Sequence, residues 1–93
     1  MINPDAVRPK HVGAKFYIGF LLKGLAPGET ISTCTATVSP SGLILTGSVV
    51  IDGNKISQFI EGGVADKDYM VKFHYKTSFT NEDDLNYLVK VIE

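Results

Sequence analysis

The chain has 93 residues, enough for one domain with a modest core, and its 44% hydrophobic and 20% charged residues are typical of a globular protein. Nine basic and ten acidic residues give a formal net charge of −1 without a basic cluster, which argues against nucleic acid and against a membrane surface as partners. Cys34 is the one cysteine and cannot form an internal disulfide, so the sequence predicts a fold held by packing. The first residues lack the pattern of a secretory signal, and we expect the chain to fold in a reducing cytoplasm.

Residues 1–14 contain Pro4, Pro9 and Gly13 and show no hydrophobic periodicity. Because proline fixes φ and lacks an amide hydrogen, we predict an extended N-terminal arm over 1–14, separate from a domain that covers 15–93. Such an arm is either frayed or ordered against a partner. We therefore expect its removal to leave the domain folded.

The rest of the chain is predicted to form strands, at 15–23, 29–38, 43–46 with 49–51, 55–61, 69–76 and 85–92. Period-2 alternation assigns their faces. In the segment 69–76 Tyr69, Val71 and Phe73 point to a core, and the residues between them point to water. In the second, Ile31 is expected on the face of the threonines 33, 35 and 37, opposite Cys34 and Ala36.

No segment shows the i, i+3, i+4 apolar repeat of a helix, and turn signals recur every 8–15 residues. This spacing predicts an all-β fold, an antiparallel two-sheet sandwich of about six to seven strands.

No motif in the sequence points to catalysis, a metal or a cofactor. Cys34 has no neighbouring base and is expected to be a small buried core residue. The two histidines, His11 and His74, are distant from each other and do not supply the convergent ligands of a zinc site. The acidic run at 81–84 lacks the alternating ligands and glycine of a calcium loop, so a solvated hairpin tip is expected there. We expect no catalytic, metal-binding or cofactor-binding residues.

Apolar residues in the arm and on strand faces expected to be wet are the candidates for a partner interface. They are Ile2, Val7, Val12, Tyr17, Leu21, Phe59, Met70, Leu88 and Ile92. If the fold brings them together, they form a patch of the kind that marks a protein interface. Exposed edge strands offer a second route, by pairing with a strand of a neighbouring chain.

The run G-G-V-A-D-K-D-Y at 62–69, followed by an alternating strand, a polar turn and a last strand, resembles the small immunoglobulin-like virion proteins of tailed bacteriophages. The resemblance covers about residues 16–92. The segment 30–38 lies where those proteins carry T-I-x-x-x-x-W-x-V, and it lacks their bulky aromatic. Asp66 stands where many relatives have glycine. Tyr69 lies where a tyrosine corner would bury its ring and bond its hydroxyl to upstream backbone.

The resemblance implies a non-enzymatic structural protein of a bacteriophage or prophage virion, made in the bacterial host cytoplasm. It would dock as an accessory subunit on the capsid, as a decoration or cement protein, or at the neck or tail. Its expected partners are the major capsid, neck or tail protein, in a homo-oligomer or a multi-copy symmetric assembly. An alternative is a carbohydrate- or host-surface-binding module of a tail or fibre, although among the predicted loops only Phe79 supplies an aromatic side chain. A cytoplasmic regulator or enzyme is the third hypothesis.

Overall fold

A computed structural model describes residues 4–93 of the chain. These residues form strands and the connections between them. The strands are β1 (Ala6–His11), β2 (Phe16–Leu21), β3 (Ile31–Ser39), β4 (Leu43–Asp52), β5 (Lys55–Gly62), β6 (Asp68–Thr77) and β7 (Glu82–Ile92). Within residues 4–93 there is accordingly no helix of the length and apolar character needed to cross a membrane.

The strands form two sheets, a four-stranded one in the order β1-β7-β6-β3 and a three-stranded one in the order β2-β5-β4. All neighbouring pairs are antiparallel except β1 with β7, which run parallel. Seven strands in two sheets make a β-sandwich. The predicted all-β sandwich is confirmed.

The core lies between the two sheets and consists of the residues that alternation assigns to inward faces. Its buried apolar side chains are Ile18, Leu22, Ile31, Leu43, Ile56, Ile60, Tyr69, Val71, Phe73, Val89 and Val91. Burial of each of these side chains contributes about 2 kcal/mol relative to exposure. On β6 the prediction holds residue by residue, since Lys72 and His74 are exposed between the buried aromatic and aliphatic positions.

Ile31 is the exception to the alternation, because it is buried while the threonine at position 33 is exposed. The pairing of β3 with β6 shifts register between Ile31 and Thr33. Such an irregularity inserts an extra residue and turns the following side chains to the other face. The predicted face of Ile31 was therefore wrong, and the hydrophobic residue packs inward with Cys34 and Ala36.

The N-terminal segment differs from the predicted separate arm, because residues 6–11 form an edge strand of the four-stranded sheet. Ala6 lies opposite Tyr87, and the pairing continues to His11 opposite Ile92. Pro9 is compatible with this position, since a residue without an amide hydrogen is tolerated on an edge strand. The backbone is extended as expected, but it belongs to the sandwich rather than lying outside it.

A buried lysine on β1 ties the two sheets together. Lys10 is 1% exposed, and its ammonium donates hydrogen bonds to the carbonyls of Gly62 at 2.7 Å, His11 at 3.0 Å and Val12 at 3.2 Å. Burial lowers the pKa of Lys10, and the negative charge of Glu61 opposes that shift. The three carbonyls satisfy the ammonium and make its burial tolerable.

The turn before β6 is built around Tyr69, as the tyrosine-corner prediction states. The Tyr69 ring is fully buried, and its hydroxyl accepts a hydrogen bond of 3.1 Å from the backbone N–H of Val64. Glycine is needed beside it, since a Cβ on Gly42 would lie 2.8 Å from the Tyr69 hydroxyl oxygen. Asp66 has a φ of 66°, in the left-handed region that favours glycine.

Candidate docking surfaces

The residues predicted for one interface patch lie on opposite sides of the sandwich. Tyr17, Leu21 and Phe59 lie on the outer face of the three-stranded sheet. Val7, Met70, Leu88 and Ile92 lie on the outer face of the four-stranded sheet, and Val12 follows β1. Ile2 lies outside the described residues. The structure therefore does not bring these residues together into one patch.

The outer face of the three-stranded sheet collects large apolar side chains, and we call it the apolar face. Its members are Tyr17 and Leu21 on β2, Ile44 and Val50 on β4, and Phe59 on β5. Tyr17 is 57%, Leu21 55%, Ile44 54% and Val50 47% exposed. Exposed apolar side chains that share one sheet face are candidates for an interaction surface.

The apolar face carries an aromatic pair with a depression beside it. The Tyr17 and Phe59 rings meet edge to face with centroids 5.0 Å apart. Beside them a depression of about 380 Å³ is bordered by Tyr17, Leu21 and Val50. Gly19 lies within it and must be glycine, because a Cβ there would come 1.9 Å from the backbone oxygen of Ile56.

Ile44 and Val50 were not predicted for the interface, although period-2 alternation places both on the face opposite Leu43. The pairing of β4 with β5 shifts register between Thr46 and Val50. The side chain of Gln58 is buried beside this irregularity and donates to the carbonyls of Thr46 at 2.9 Å and Gly47 at 3.2 Å. Gly47 inside the strand segment is the sequence signal that could have indicated the bulge.

The outer face of the four-stranded sheet is mainly polar, and we call it the polar face. Its polar side chains are Thr33, Thr35 and Thr37 on β3, Lys72, His74 and Lys76 on β6, and Glu82, Asp84 and Asn86 on β7. Among these, the Asn86 amide side chain and Lys72 border, with Met70, a depression of about 470 Å³.

Charges of opposite sign pair on the polar face around His74. Its Nδ1 lies 2.6 Å from Asp84 Oδ1, and its Nε2 lies 3.3 Å from Glu82 Oε2. Lys76 Nζ lies 3.8 Å from Glu82 Oε1. The hydrogen bond to Asp84, together with the charges of both carboxylates, raises the pKa of His74.

The acidic run at 81–84 is therefore part of a sheet face rather than only a hairpin tip. Glu82 and Asp84 lie at the start of β7, and the Asn81 side chain donates to Glu29 Oε2 at 2.8 Å. No group of three or more potential ligand side chains in residues 4–93 is arranged to hold a metal ion.

Two further residues discussed in the sequence analysis are Cys34 and Phe79, and the structure shows the surroundings of both. Cys34 is partly buried against the core, and burial raises the pKa of its thiol to about 11. A thiol with this pKa carries almost no thiolate at neutral pH, so it is a weak nucleophile. Phe79 is a half-exposed loop residue, and the Tyr17–Phe59 pair lies on a sheet face instead of at a loop tip.

Exposed apolar side chains on one outer face of the sandwich make that face a candidate protein-interaction surface. The family model described as "Podophage GP4 fiber-tail adaptor protein gp77" matches residues 10–90. The chain belongs to this Gp77 family and is a structural protein of a phage tail. The resemblance to small phage virion proteins is thereby confirmed. A search of curated proteins found no match.

Proposed function

We propose that this chain joins a fibre to the tail of a podophage particle, with the apolar face bound to one partner and the polar face to the other. The family description supports the adaptor role. The observation that carries the proposal is the apolar face, because five large apolar side chains are gathered outside the core on one sheet. An adaptor needs two separate surfaces, and the two outer faces of the sandwich supply them.

The apolar face suits a permanent contact. Burying a large apolar side chain is worth about 1.5–3 kcal/mol, so the apolar face offers several kcal/mol before association costs. The flat face of a three-stranded sheet is small compared with the standard interface of about 1,600 Å². We therefore propose that several copies bind around the tail, so that repetition in a symmetric assembly strengthens each modest contact.

The polar face suits the contact with the second partner. In that contact the geometry of hydrogen bonds and charge pairs matters more than the buried area. Threonine hydroxyls, the Asn86 amide and the paired charges around His74 present fixed donors and acceptors. Polar groups at an interface set register and discriminate between partners more than they add affinity. The proposal places this contact at the tail and not at the capsid surface, since the family is one of tail adaptors.

The test replaces apolar side chains of the apolar face without changing the core. In Leu21→Thr/Val50→Thr, both residues are exposed and the introduced threonines are β-branched, which suits a strand, so we expect an unchanged melting temperature. Particles assembled with this variant should lose most of their bound fibres, measured by the fibre-to-capsid protein ratio after sedimentation.

The matched control is Val64→Thr, because Val64 is 52% exposed but lies in the turn before β6. It should leave the fibre content unchanged. A full complement of fibres on particles that carry the double variant would overturn the proposal.

A further inference from the structure

The two sheets leave four edge strands, and three of them carry features that block the addition of another strand. Strand β1 contains Arg8, Pro9 and the buried Lys10. Strands β3 and β4 have register shifts in their pairing. Proline, charged side chains and bulges are the devices by which proteins protect sheet edges.

Strand β2 carries none of these features. Its sequence, F-Y-I-G-F-L, holds no charge and no proline, and its pairing with β5 runs without a shift from Phe16 opposite Ile60 to Leu21 opposite Lys55. Protein edges that are regular, uncharged and apolar attract further strands. The edge of β2 is therefore a candidate site for the addition of another strand.

The backbone of β2 is oriented and accessible for pairing. Leu22 N–H donates to the Asn54 carbonyl at 2.7 Å, on the β5 side. Because amide directions alternate along a strand, the N–H and C=O groups of Tyr17, Gly19 and Leu21 point to the open edge. Tyr17 is 57% and Leu21 is 55% exposed, which leaves this edge accessible.

The charges at the ends of β2 indicate the partner. Lys15 and Lys23 flank the strand, both are exposed, and among the described residues no carboxylate lies within 4 Å of either ammonium. Lys55 adds a third positive charge opposite Leu21.

A second copy of the chain is a poor occupant of this edge. Antiparallel self-pairing of β2 centred on Gly19 would place Lys15 of each copy across from Lys23 of the other. Like charges directly opposite each other on paired strands are destabilising. Acidic side chains at both ends of an incoming strand would instead face the two lysines.

We propose that β2 accepts an added strand from another virion protein, an uncharged extended segment of about six residues with acidic residues at both ends. Backbone hydrogen bonds to Tyr17, Gly19 and Leu21 provide the pairing, and Lys15 and Lys23 select the flanks. The added strand also extends the apolar face. This inference rests on the proposed adaptor function for the identity of the partner as a virion protein.

The experiment uses two synthetic peptides, each with six alternating threonine and valine residues, one with two glutamates and one with two lysines at each end. Amide resonances of the full chain are followed by NMR during titration. We expect the glutamate-ended peptide to bind about tenfold more tightly than the lysine-ended one. Binding should shift the Tyr17, Gly19 and Leu21 amide resonances and slow their hydrogen exchange.

Charge-reversal variants supply the control. Lys15→Glu/Lys23→Glu should reverse the preference between the peptides, whereas Lys72→Glu/Lys90→Glu, with the same change in net charge, should keep it. Equal binding of both peptides, protection at a different edge, or dimerisation of the free chain with protection of the same amides would each overturn the inference.

The two proposals fail separately in these experiments. If the peptide binds at β2 but Leu21→Thr/Val50→Thr particles carry all their fibres, the adaptor proposal is overturned. The inference that β2 accepts an added strand then still holds. Loss of fibres without peptide binding overturns the edge inference alone.

Discussion

At the scale of single residues, sequence motifs predicted the turn before β6 but not the buried lysine that lies near it. The Gly-Gly pair and the Asp-Tyr step predicted the corner, and the structure shows the Tyr69 hydroxyl accepting from Val64 N–H. Lys10 could not be predicted in the same way. Lysine is almost never fully buried, and the carbonyl of Gly62 that receives its ammonium lies 52 residues away in sequence.

The corner hydrogen bond makes a testable contribution to stability. Tyr69→Phe removes the acceptor and leaves the Val64 N–H unpaired in a partly buried turn. We expect the free energy of unfolding to fall by about 1 kcal/mol, measured by urea denaturation. Tyr87→Phe is the control, since no hydrogen bond of the Tyr87 hydroxyl occurs in the structure of residues 4–93, and it should change stability much less. Equal effects of the two variants would contradict the role of the corner.

His74 makes the stability of the domain depend on pH. Its pKa is raised in the folded protein by the hydrogen bond to Asp84 and by the charges of Asp84 and Glu82, so folding favours the protonated imidazole. The stabilisation is fully present below the unfolded pKa of about 6.5 and is lost as pH rises through the higher folded value.

The measurement is an NMR titration of His74 together with denaturation between pH 5.5 and 8.5. His74→Gln should remove this part of the pH dependence, and Asp84→Asn should lower the His74 pKa. A wild-type His74 pKa at or below 6.5 would contradict the pairing seen in the structure.

At the scale of elements, period-2 alternation predicted six of the seven strands, and it failed where the backbone is irregular. The register shift in β3 changed the face of Ile31. Strand β1 was missed for a different reason. Its sequence lacks apolar alternation, and its partner β7 lies about eighty residues later, so only the folded chain shows the pairing.

The role of β1 reverses the expectation for an N-terminal truncation. Deleting residues 1–14 removes the edge strand and the buried Lys10, and it exposes the edge of β7 and the carbonyl of Gly62. We now expect this truncation to lose at least about 2 kcal/mol of stability, measured by thermal and urea denaturation.

A shorter truncation that begins at Pro4 and keeps β1 intact serves as the control and should unfold like the full chain. If the longer truncation were equally stable, β1 would not be an integral strand of the sandwich.

At the scale of the whole molecule, the sequence predicted that apolar side chains would remain outside the core, and the fold decides where they lie. Alternation identified Tyr17, Leu21 and Phe59 as outward-facing, and they do share a face. It could not show that Met70 and Leu88 lie on the opposite side, because sheet membership depends on pairing between distant segments. The candidate interface residues lie on two faces instead of forming one patch, and the proposed adaptor function needs two separate surfaces.

The most direct test of this account is a cryo-electron microscopy reconstruction of the podophage tail with its fibres attached. We predict that the chain lies between tail and fibre in several symmetry-related copies. We also predict that one protein covers Tyr17, Leu21, Ile44 and Val50 while a different protein contacts the polar face. A chain found on the capsid surface, or a chain whose apolar face is open to solvent in the assembled particle, would contradict it.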